Sequence, residues 1–86
     1  MMRVIEKPWG QEEVIEINEH YMMKKLTMWK DQRCSLQLHN YKKETIFVLS
    51  GLLRIISGPD ENNLKGKIYK AGDSITISPK TVHRME

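Results

Sequence analysis

Residues 33–51 read Arg33-Cys34-Ser35-Leu36-Gln37-Leu38-His39-Asn40-Tyr41-Lys42-Lys43-Glu44-Thr45-Ile46-Phe47-Val48-Leu49-Ser50-Gly51. From Cys34 to Asn40 polar and apolar residues alternate, which predicts a strand with Leu36 and Leu38 on one face and Ser35, Gln37 and His39 on the other. Thr45–Ser50 is β-branched and aromatic and suits a second strand, which Gly51 can break or bend. Gln37, His39 and Glu44 supply an amide oxygen, an imidazole nitrogen and a carboxylate. A second imidazole, His83, arrives much later, past a Gly72-Asp73 turn. A mixed nitrogen and oxygen set of this kind suits a divalent Zn, Mn, Fe or Ni ion; thiolate-rich sets favour softer chemistry. The bland alternative is a satisfied strand histidine beside a surface glutamine, with Glu44 a solvated strand end.

Outward from this stretch the chain stays short-stranded. Pro8 and Gly10 bracket Trp9 and break any early element. Glu12–Ile17 alternates, Asn18-Glu19-His20 is turn-like, and Tyr21–Trp29 carries apolar residues on both faces, as a strand packed on both sides does. Leu52–Ile56 continues beyond Gly51, 57–63 is the best loop, Leu64–Tyr69 is a weak strand and Ser74–Ile77 another. Ser78-Pro79-Lys80 leads to Val82 and His83. No long 3.6-residue apolar repeat exists, so many short strands with turn signals predict an all-β sandwich or barrel. The chain stops at Glu86, where a further strand is starting. Either the domain is truncated at this edge or a partner subunit supplies it.

At 86 residues the chain has room for one domain, 1–86. A domain this small buries roughly 60–65% of its extended surface, so a metal or partner adds usefully to a thin stability margin. The net charge of +3 is spread in pairs and singles among acidic residues. That balance allows an anionic small molecule and gives no basic stripe for nucleic acid. Cys34 is the only cysteine, which fits a reducing compartment. No apolar stretch approaches the roughly 20 residues that cross a bilayer, and the start has no signal-peptide core. The expectation is a cytoplasmic protein with no nucleic-acid or membrane partner. Neither a His-Glu-x-x-His run nor a phosphate-binding glycine loop nor a Gly-x-Ser-x-Gly elbow is present.

The glycines add a pattern. Gly51 follows Glu44 by seven residues and Gly72 precedes His83 by eleven. This resembles the two signature motifs of the cupin superfamily, β-barrels of the double-stranded β-helix or jelly-roll type. Gln37 falls on the first motif histidine, His39 on the second, Glu44 on the glutamate and Gly51 on the glycine. Asp31 replaces the glycine that opens the first motif. Gly72-Asp73 opens the second motif and His83 ends it, while the motif's internal proline and glycine fall on Ser78 and Lys80. Lys7-Pro8-Trp9-Gly10, Arg33–His39, Val48-Leu49-Ser50-Gly51 and His83-Arg84 narrow the resemblance to the cupin domain of type II mannose-6-phosphate isomerases. It departs at Asn40, Tyr41 and Thr45. The resemblance implies metal ligands at Gln37, His39, Glu44 and His83.

Four more residues are candidates for substrate binding. Arg33 can hold a phosphate bidentately, against a solvated strand-end charge. Lys80 lies in the loop before His83 and Arg84 directly after it, the latter facing away if its strand is regular. Tyr41 either points inward as a hydroxyl donor or packs. Trp9 reads as packing rather than sugar stacking. The function implied is a metal-dependent sugar-phosphate isomerase, with a non-catalytic metal- or sugar-binding cupin module as the alternative. The expected ligand is a phosphorylated sugar or other saccharide. No residue outside the ligand set is marked as the base; His20 and Glu13 are the nearest suggestions. Leu36 and Leu38 would cover an outer face or an interface, and a homodimer is expected.

Overall fold

The structure, a computed structural model, describes residues 3–86. Among the described residues there are eight strands, and no helix is long and apolar enough to cross a membrane. The chain divides into two compact units, residues 1–33 and 34–86.

The first unit is one antiparallel sheet in the order β1-β2-β3: β1 (Arg3–Lys7), β2 (Gly10–Ile17) and β3 (Met22–Met28). Pro8 and Trp9 form the two-residue turn of the first hairpin, so the Pro-Trp-Gly punctuation joins two strands. Strand β1, which precedes the Pro8 and Gly10 breakers, is a difference from the sequence expectation. Trp9 is half-buried in that turn, and its carbonyl accepts the Trp29 N–H at 2.9 Å. On β2, Glu12 and Val14 are buried; a bulge between Val14 and Glu16 then shifts the register. Strand β3 corrects the expectation of packing on both faces. Met22, Met23 and Leu26 are exposed, as are Ile15 and Ile17 on the central strand β2, so among the described residues the end of the sheet that holds them lacks a covering layer; only Thr27 and Met28 of β3 reach half-burial.

The second unit holds two sheets. Strands β4 (Glu44–Phe47) and β7 (Ser74–Ile77) pair antiparallel, with Glu44 opposite Ile77 and Ile46 opposite Ile75. These four side chains are buried or half-buried, while Thr45 and Thr76 lie opposite one another on the exposed side and share a 2.9 Å hydroxyl hydrogen bond. The other sheet runs β6 (Lys65–Lys70), β5 (Leu52–Gly58), β8 (Val82–Met85). Ile55 faces Met85 and Ser57 faces His83 across the β5–β8 ladder. Period-two alternation therefore places the buried Ile55 and His83 on one face and Ile56, Val82 and Arg84 on the other.

The segment expected to be a regular strand, Cys34–Asn40, is extended but forms only a single bridge, Gln37 to His83. Its backbone is laced along the outer edge of β8. Gln37 and His83 exchange N–H···O bonds of 2.8 and 2.9 Å, the Cys34 N–H donates to the Met85 carbonyl at 3.0 Å, and the Lys80 N–H donates to the His39 carbonyl at 2.6 Å. The buried Cys34 thiol accepts the Met85 N–H at 3.2 Å. The far edge of β8 is thus occupied from within the chain. The 57–63 loop is shorter than expected, since β5 continues to Gly58; Asp60 closes the turn by accepting the Asn62 N–H at 2.8 Å.

Candidate metal centre

The lacing of 34–39 to β8 decides the geometry of the site. A directly opposed pair sends its side chains to the same face, so Gln37 and His83 project together. His39, two residues on, follows them, and Glu44 enters from the first position of β4. The Nε2 atoms of His39 and His83 each lie 3.4 Å from Glu44, at Oε1 and Oε2 respectively. The two rings are 5.6 Å apart between centroids. One ligand atom from each of the three residues can be chosen so that all lie within 4.8 Å of one another. Gln37 Oε1 stands 3.2 Å from His39 Nε2 and adds an amide oxygen.

The donor chemistry fits a divalent ion. His83 is 5% exposed, and its Nδ1 lies 3.0 Å from the Thr81 carbonyl. A carbonyl only accepts, so Nδ1 carries a proton, and in the neutral ring it is Nε2 that has the lone pair toward Glu44. A lone pair facing a carboxylate oxygen calls for a proton or a cation between them. Ligand atoms about 2.1 Å from a tetrahedral ion stand about 3.4 Å apart, the spacing both histidines keep from Glu44. The Thr81 carbonyl would serve as the outer partner that fixes the ring.

Glu44 is held ionised. Burial pushes its pKa up, but the Lys42 ammonium, 3.0 Å from Oε1, and then the His83 and His39 imidazoles outweigh that and lower it below the model-compound value of 4.5. Lys42 is the residue that sequence reading missed. Its signal is its place two positions before Glu44, where an extended backbone would put both side chains on one side.

The substrate candidates are dispersed. Arg84 lies on the face of β8 away from His83 and donates from Nε to Glu86 at 3.1 Å. Tyr41 is 94% exposed and neither packs nor turns inward. Lys80 has an exposed side chain, and its contribution at the site is the backbone N–H that holds His39. Arg33 is exposed and ends the first unit. Of the suggested bases, His20 pairs with Glu19 on the surface and Glu13 with Lys25. A depression lined by Leu36, Gln37, Leu38, Pro59, Val82 and the acidic Asp60 and Glu61 includes one proposed donor, Gln37, but neither imidazole nor Glu44.

An all-β chain that carries two imidazoles and a carboxylate on this pattern of strands and turns is a cupin. The chain belongs to the family described as mannose-6-phosphate isomerase C-terminal, whose pattern it matches over residues 1–86. Among curated proteins it is 30% identical over 84 residues to mannose-1-phosphate guanylyltransferase 2 of Escherichia coli O157:H7, covering 98% of this chain and 16% of that protein. It is 28% identical over 80 residues to the mannose-1-phosphate guanylyltransferase RfbM of Salmonella typhimurium, covering 93% of this chain and 16% of the relative. The xanthan biosynthesis protein XanB of Xanthomonas campestris is 28% identical over 58 residues, 67% of this chain and 12% of XanB. The chain therefore spans about a sixth of the length of the first two relatives. No solved structure matches it.

Proposed function

We propose that this chain is a cupin domain over residues 1–86 that holds a divalent metal on His39, Glu44 and His83, with Gln37 as a fourth donor, and recognises a phosphorylated sugar there. The observation that carries the reading is the pair of imidazole nitrogens 3.4 Å from one carboxylate, one of them with its lone pair fixed toward it by Thr81. When bound, the metal supplies Lewis acidity toward hydroxyl or carbonyl oxygens of the sugar. The chain's own residues orient that ion and present it at an accessible rim, where Gln37 and part of His39 reach solvent. The phosphosugar class is supported by the relatives, named as mannose-1-phosphate guanylyltransferases.

Recognition is favoured over isomerisation. Moving a proton between C1 and C2 of an aldose needs a base within hydrogen-bond reach that is not itself a ligand. Within the second unit, the Lys42 ammonium contacts a ligand side chain, and it is already paired with Glu44. The family description keeps the isomerase reading as the second one. The test is calorimetric binding of Zn and Mn, then of mannose 6-phosphate, to the wild type and His39→Ala, followed by an assay for fructose 6-phosphate. Metal-dependent sugar-phosphate binding without turnover, lost in His39→Ala, is expected. Turnover abolished by that substitution would establish the isomerase instead, and failure to bind either metal would overturn both readings.

A further inference from the structure

Lys42 occupies the carboxylate oxygen that a metal would take. Its Nζ lies 3.0 Å from Glu44 Oε1, the oxygen that also stands 3.4 Å from His39 Nε2. Glu44 keeps only 22% of its side chain exposed, so its charge needs a nearby cation when no metal is bound. Lys42 meets that need from a flexible stem that is 57% exposed, which leaves it free to swing into water. It leaves Oε2 and the His83 nitrogen untouched, so half of the donor set is already open to an incoming ion.

We propose that Lys42 is the resident counter-cation of the metal-free site and is exchanged for the metal on binding. The inference rests on the metal centre proposed above and goes beyond it by assigning a role to a residue outside the ligand set. Exchange has two linked effects of opposite sign. The ammonium stabilises the metal-free fold by neutralising Glu44, and it weakens metal affinity because each ion must displace it.

The experiment compares wild type, Lys42→Met and Lys42→Arg by calorimetric titration with Zn and with Mn, and by thermal melting with and without the metal. Lys42→Met should bind metal about three- to five-fold more tightly, as expected when the incoming ion no longer has to break a partly exposed ion pair. The same variant should melt lower without metal, so the gap between its metal-free and metal-loaded melting temperatures widens. Lys42→Arg restores the charge and should stay within two-fold of the wild type. Wild-type binding that is unchanged in Lys42→Met overturns the exchange alone. A wild type that binds neither metal overturns the centre itself and the exchange with it.

Discussion

Two glutamates in this chain solve the same electrostatic problem with different consequences. Glu12, in the first unit, has 12% of its side chain exposed and is clasped by Lys24 at 3.0 Å and Lys7 at 3.3 Å. Glu44, in the second, has 22% exposed and meets one lysine and two imidazole nitrogens. For both, burial raises the pKa and neighbouring cations more than reverse it, so both lie below 4.5. The difference is in the partners. Each oxygen of Glu12 has its own permanent cation, and the cluster is closed. Glu44 faces imidazole nitrogens, which can offer a lone pair to an ion as an ammonium cannot. A buried carboxylate marks a site only when its partners have lone pairs to offer.

The comparison is tested most severely by neutralising each carboxylate in turn. Glu44→Gln should weaken Zn affinity by at least about 100-fold, because even the outer partners of metal ligands are worth roughly 10–100-fold. Glu12→Gln should leave the same affinity within two-fold. Similar losses in both, read by titration calorimetry, would break the distinction between a closed cluster and an open one.

Glu12→Gln should instead appear in stability. The lysines that clasp it are about a third exposed, which discounts the pair for solvent, so a cost of about 1 kcal/mol near neutral pH is expected. The sign with pH follows from the lowered pKa. The contribution is complete above the unfolded value near 4.5 and disappears as pH falls through the folded one. Urea denaturation curves of the wild type and Glu12→Gln should therefore differ at pH 7 and converge as the pH is taken below 4.5 and through the folded value. A difference that persists in acid would assign the effect to packing.

The smallest effect concerns the backbone around the two regions. Asp31 and Lys80 adopt left-handed conformations, with φ of 64° and 65°, as do Gly51 and Gly72 at 76° and 93°. A side chain in that region is disfavoured by roughly 1–2 kcal/mol, part of which glycine gives back as unfolded-chain entropy. Lys80→Gly should accordingly stabilise by roughly 0.5 kcal/mol, and Asp31→Gly by less, since aspartate tolerates the conformation better. Denaturant midpoints measure both. A loss of stability at Lys80 would mean that its side chain contributes something beyond carrying the N–H that holds His39.

These two positions also show what the sequence made legible. Asp31 and Lys80 fall where the cupin motifs have glycine, so motif spacing located the left-handed turns even where the residue type had changed. Strands β2 to β7 were readable from alternation and β-branching, although β4 ends at Phe47, short of the expected Ser50. Strand β1 was lost because Pro8 and Gly10 read as an interruption, when a two-residue turn needs such residues. The even alternation of 34–40 overstated its regularity, since alternation records which side a residue faces and says nothing of how many ladder bonds form. The spacing of His39, Glu44 and His83 identified residues that the fold does bring together. Lys42 escaped because lysine is not a ligand, and its role is visible only from the distance to Glu44.

The lacing between Gln37 and His83 has a kinetic side. Gln37, His39 and Glu44 are close neighbours along the chain, but His83 joins them from about half the sequence away, through backbone bonds that form only once β8 has docked. Such a non-local closure carries its loop entropy before any contact compensates it. A complete donor set therefore belongs to the last stage of folding, and an ion that needs all of it meets no complete site in the collapsing chain. Metal should leave the refolding rate nearly unchanged and slow unfolding, which stopped-flow traces with and without Zn would show. An ion held by His39, Glu44 and His83 would then act as a latch on a finished structure, with more effect on protein lifetime than on assembly.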